Sequence, residues 1–72
     1  MNKRISKITR DEKYYSVCLL YTKQLSYELD LKLRNIILRG YSKEEVLWKA
    51  IREYRKEMGG YSIAMDVVIE II

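Results

Sequence analysis

The sequence predicts an α+β fold: a small antiparallel sheet of three to four strands with one α-helix packed on one face, in the order (β)ββαβ. Three observations predict it. Residues 25–34 alternate apolar and polar without a break, residues 61–71 alternate again, and between them lies one amphipathic helix with its own start signal. The 72 residues form a single domain, and a chain of that size buries only roughly 60% of the surface it exposes when unfolded. Apolar residues make up 49% and charged residues 33%, a balance that folds rather than stays disordered.

The helix is marked first. In Tyr41-Ser42-Lys43-Glu44-Glu45-Val46, Ser42 is placed to accept from the backbone N–H of Glu45, and the Glu45 carboxylate to reach back to the N–H of Ser42. That is a capping box, with Tyr41 against Val46 as its hydrophobic staple. Leu47, Ala50, Ile51, Tyr54 and Met58 follow at helical spacing, Val46 and Trp48 flank the stripe, and Gly59-Gly60 supplies a C-cap. The spacing predicts a helix over 43–58.

The strands are read from period two. In Leu25-Ser-Tyr-Glu-Leu-Asp-Leu-Lys-Leu-Arg34 every odd position is apolar and every even one polar, which makes one clean face only in a strand. Tyr14–Tyr21 reads as the strand before it. A three-residue connection, Thr22-Lys23-Gln24, would pair Tyr21 with Leu25, Leu19 with Tyr27, Val17 with Leu29 and Tyr15 with Leu31, all on the odd, buried face. That turn lacks the Gly or Asn such loops prefer. Residues 1–12 read as a basic arm or a short first strand at 4–9. In the tail, Tyr61, Ile63, Met65, Val67, Ile69 and Ile71 alternate and are rich in β-branching, which favours a strand. The alternative there is a second helix capped by Ser62, with Asp66 and Glu70 as its polar stripe, because Gly60-Tyr61-Ser62 echoes Gly40-Tyr41-Ser42. The helix stripe and the odd strand faces would make the core.

Composition narrows the chemistry. There is no His, no Pro and one Cys, so imidazole bases, Ser-His-Asp and Cys-His catalysis, histidine metal ligands, intrachain disulfides and paired-cysteine zinc sites all fall away. Cys18 lies in an apolar run and reads as a packed thiol; Glu28 and Asp30 read as a solvated face. No enzyme, cofactor, metal or small-molecule substrate is expected. The absence of a long apolar run or a signal-peptide pattern places the chain in the cytoplasm (the host's, if viral) with no membrane partner.

Surfaces remain. The net charge of +4 is concentrated in the first half, and Lys3, Arg4, Lys7 and Arg10 are the candidates for contact with an acidic partner. Tyr14 is expected on the outer face of the hairpin with Ser16, Cys18 and Leu20, unusually apolar for a solvated side, joined by Ala64, Val68 and Ile72 from the tail. Tyr14 and Leu20 are therefore candidate contacts for a protein partner or for self-association.

The turn Asp11-Glu12-Lys13-Tyr14-Tyr15 and the segment Gly40-Tyr41-Ser42-Lys43-Glu44-Glu45-Val46 leading into Ala50 resemble the small βββαβ domain of HicB-type antitoxins. The resemblance implies a module that blocks a partner rather than a repressor, because the DNA-binding segment common in that family has no room here. Gly40-Tyr41-Ser42, Glu45-Val46 and Ala50-Ile51 also resemble the turn and second helix of ribbon-helix-helix DNA-binding proteins. That alternative implies a groove-reading ribbon at 13–21 and a first helix at 23–39. The expected function is a non-enzymatic module that occludes a macromolecular partner, such as a phage or mobile-element inhibitor of a host or defence protein. The alternative is a dimeric DNA-binding regulator.

Overall fold

A computed structural model describes residues 11–71. The possible first strand at 4–9 and the arm residues Lys3, Arg4, Lys7 and Arg10 lie outside the described residues. The elements are β1 (Lys13–Gln24), β2 (Leu29–Gly40), α1 (Lys43–Glu53) and β3 (Ser62–Ile71). The sheet is antiparallel throughout with order β2-β1-β3, so the tail is a strand and lies against β1. The helix packs on one face of this three-stranded sheet, as the α+β reading expected.

The hairpin corrects the expected pairing. Gln24 pairs with Leu29 and Lys13 with Gly40, leaving a four-residue loop, Leu25–Glu28, where three residues at 22–24 were expected. A three-residue loop needs one residue in the left-handed region, and no non-glycine residue among those described has positive φ. The longer loop avoids that demand. It is closed by the Leu25 N–H donating to the Glu28 carbonyl at 2.8 Å, and by the Gln24 side-chain amide donating to the carbonyls of Leu25 (2.9 Å) and Glu28 (3.2 Å). The second strand consequently runs over 29–40 rather than 25–34.

An even loop pairs odd positions with even ones, so the change of register also inverts β2. Tyr15, Val17, Leu19 and Tyr21 keep the helix side and are buried. Their β2 partners are Leu38, Ile36, Arg34 and Lys32, where Leu31, Leu29, Tyr27 and Leu25 were expected. On β3, Val68 pairs with Val17 and packs against the core. Val68 is therefore not on the outer face, and the odd residues Met65, Val67, Ile69 and Ile71 are. The expectation that odd faces of all the strands meet the helix holds for β1 alone over these stretches. An irregularity between Leu20 and Tyr21 shifts the β3 register and returns Ile63 to the helix side, opposite Tyr21.

At the start of α1, the Ser42 hydroxyl accepts from the Glu45 N–H at 3.2 Å. The Glu45 carboxylate accepts from the Tyr41 N–H at 2.6 Å, one residue earlier than a capping box places it. The helix ends at Glu53, five residues before the expected Met58; residues 54–60 continue as turns in which Arg55, Gly59 and Tyr61 donate three residues back. These turns still bury Met58 beside Val46 and Ala50, and Gly60, with φ +91°, leads the chain into β3. No helix among the described residues is long and apolar enough to cross a membrane.

Gly40, at the end of β2, leaves no room for a side chain beside the first turn of α1. A Cβ there would sit 2.7 Å from Cγ1 of the buried Val46 and 3.0 Å from the Glu45 carboxylate. Gly40→Ala is expected to destabilise the fold by about 1–3 kcal/mol, read as a lower urea midpoint with an unchanged slope.

Candidate functional site

The two faces of the sheet differ in an unusual way. Of the eight charged residues in the strands, seven take the helix side: Lys13 and Lys23 on β1, Asp30, Lys32 and Arg34 on β2, Asp66 and Glu70 on β3. Several are paired there. Lys13 meets Glu70 at 3.6 Å, and Arg34 clamps Glu57 through two bonds to one carboxylate oxygen, Nε at 3.0 Å and Nη2 at 2.5 Å. That contact raises the affinity of the guanidinium for its proton. Asp30 accepts from the Tyr61 hydroxyl, while Lys23 lies 5.4 Å from the centre of the Tyr61 ring. Glu28 lies in the loop, so it and Asp30 do not form the shared solvated face expected of them.

Among the described strand residues, the open face carries one charge, Arg39, at the rim. Its Nε meets Glu12 at 3.0 Å and its guanidinium lies over the Tyr14 ring at 5.9 Å. The rest is apolar or uncharged. Leu29, Leu31, Leu33 and Ile37 project from β2, Met65, Val67, Ile69 and Ile71 from β3, and Tyr14 from the end of β1; all nine are exposed, by 39–61%. Between these two ridges β1 contributes Ser16, Cys18 and Leu20, all half-buried. The Asn35 side-chain amide donates to the Ser16 hydroxyl at 3.5 Å across the middle of the face. In a solvated antiparallel sheet the outer face is the polar one. Here polarity is reversed.

Tyr14 and Leu20 thus lie where the sequence placed them, on the outer face with Ser16 and Cys18. The larger part of the surface, the leucine column of β2 and the Met-Val-Ile-Ile column of β3, was assigned to the core. Their alternation was visible; the side toward which it points was not. Trp48, expected at the flank of the core stripe, is 63% exposed on α1. Among the described residues, no group of three or more His, Cys, Asp or Glu is placed to hold a metal ion. No protein-family model, curated protein or solved structure matches this chain.

Two tyrosines on the helix side hold their protons more tightly than usual. Burial raises the pKa of Tyr21, with a further push from the neighbouring Tyr54, and its hydroxyl meets no hydrogen-bonding partner among the described residues. Tyr61 is raised first by its bond to Asp30. A folded pKa above the unfolded value contributes stability that is complete below the ordinary tyrosine range, about 10, and is lost as pH rises through the folded value. Ultraviolet titration should therefore show two of the seven tyrosines ionising last, with stability declining over the same alkaline window. Tyr61→Phe should remove one of the late ionisations. Tyr21→Phe should remove the other and leave stability unchanged or higher by up to about 1 kcal/mol, because no bond is lost.

Proposed function

We propose that this chain is a non-enzymatic interaction module whose working surface is the open face of its sheet, and that it acts by docking on and covering a macromolecular surface. The observation that carries this reading is the contiguous apolar face with one charge at its edge. At exposures of 39–61%, nine residues of this size leave at most on the order of 900 Å² there, against the ~300–600 Å² of the largest patch on an ordinary monomer. Tyr14 sits at the rim of this face, where an aromatic ring with a polar end suits a half-wet contact. Inhibition by occlusion is the mode of action such a face supplies, whether the target is a host or a defence protein.

The DNA-binding alternative is less well supported. Residues 29–40 form β2, where the ribbon-helix-helix arrangement needs its first helix. The outward β1 residues Ser16, Cys18 and Leu20 offer little to base edges.

A tagged chain should retain a protein from native extract, untagged copies of the chain included. Leu33→Glu in the middle of the open face should cut that retention at least tenfold, and Trp48→Glu on the helix should leave it unchanged. Equal retention by the Leu33→Glu chain overturns the reading. Micromolar DNA binding that weakens steeply with salt would favour the alternative.

A further inference from the structure

We infer that the occupant of the open face is a second copy of this chain, stacked face to face about a two-fold axis that runs along the row Asn35–Cys18–Val67. The inference rests on the docking reading of this face and names its partner.

Area comes first. About 900 Å² per copy matches the ~800 Å² each partner contributes to a standard-size interface. Burying it would also enlarge a core that among the described residues contains only seven buried side chains, Tyr15, Val17, Leu19, Tyr21, Val46, Ala50 and Met58.

Charge comes second. A partner of opposite charge would be met by charges on the face, and the one that the described strands place there, Arg39, is already engaged by Glu12 and Tyr14. A nearly neutral surface is complementary to itself, which a two-fold interface requires of one patch.

Asn35, Cys18 and Val67 are neighbours across the three strands, and they form a row near the middle of the face. Rotation about that row sets each of them opposite its own copy. Asn is suited to that position, because its amide carries both a donor and an acceptor and can pair with itself across the axis. On either side of the row the residues exchange. Leu33 faces the copy's Ile37, Met65 faces the copy's Ile69, and Leu20 stands over the copy's small Ser16. The Leu20–Ser16 exchange sets a large residue against a small one, which lets the two stacked sheets interdigitate there. One buried polar pair among apolar ridges fixes the register, as a single core Asn does between paired helices.

Sedimentation equilibrium of the wild-type chain should give twice the chain mass at micromolar concentration. Leu33→Glu and Val67→Glu should each weaken dimerisation at least a hundredfold while far-UV circular dichroism is unchanged, and Trp48→Glu should leave the dimer intact. Cys18 lies at the centre of the stacked faces, so a maleimide should alkylate its thiol more slowly in the wild-type chain than in the Leu33→Glu chain.

A wild-type chain that is monomeric at a tenth of a millimolar overturns the inference. So does a dimer that survives both face substitutions, which would place the contact on a strand edge, or one in which Cys18 reacts with the maleimide as fast as in the Leu33→Glu chain. A monomeric chain whose capture of another protein still depends on Leu33 overturns the second copy alone. One whose capture is indifferent to Leu33 overturns the docking reading with it.

Discussion

The pairing register between β1 and β2 is the constraint on which the rest of this structure depends. Twelve residues of each strand are paired in it, and because side chains alternate, one residue of slip would carry every β2 leucine from one side of the sheet to the other. The four-residue loop sets the parity. It places Leu29, Leu31 and Leu33 on the same side as Ser16, Cys18 and Leu20, and it gives Arg34 and Lys32 to the side where α1 and the turns after it supply Glu57 and the ring of Tyr54. Once β1 has committed Tyr15, Val17, Leu19 and Tyr21 to the helix, the other face of the sheet is left apolar with nothing from the described part of the chain to cover it.

The two faces divide the chemistry between them. The helix side holds both a compact core and most of the strand charges, arranged so that the long stems of Lys13, Lys23 and Arg34 lie along the sheet while their heads find Glu70, the Tyr61 ring and Glu57. Exposed ion pairs of this kind contribute little each, so they do not explain the stability of the fold. What they do is concentrate charge on one side, which leaves the other free to associate. A sheet whose two outer strands are twelve and ten residues long is also open to pairing at its edges. The charges of Asp66 and Glu70 on β3 and of Lys32 and Arg34 on β2 make those edges less receptive than the face between them.

The core face of β1 was legible because Tyr, Val and Leu at 15, 17, 19 and 21 occupy one parity without interruption. The start of α1 was legible because Ser42 and Glu45 make bonds within four residues that need no tertiary partner. Tyr14 and Leu20 were legible as surface residues for the same reason as the β1 core: opposite parity on the same strand. The end of α1 was not. Residues 54–58 continue the helical spacing, and only their contacts with the sheet, Met58 into the core and Glu57 onto Arg34, distinguish a tightened series of turns from a regular helix. Trp48 was hidden because its position relative to the sheet depends on how α1 is rotated about its axis, and Val46 and Ala50, which lie closest to β1, decide that rotation.

By itself the sequence determined one helix set among alternating strands, the order of the elements, and the presence of an apolar face on each strand, while a first strand at 4–9 and a helix in place of the last strand stayed open. Those properties are local, arising from a period of two or of 3.6 and from caps that bond within three or four residues. Which apolar face meets the helix was decided only in the tertiary structure. Alternation shows that a strand has two sides and carries no information on which side its neighbour will share. A loop one residue longer than expected, chosen because no residue in it need adopt positive φ, reversed the assignment for β2. The leucines that looked like core became the surface of the molecule.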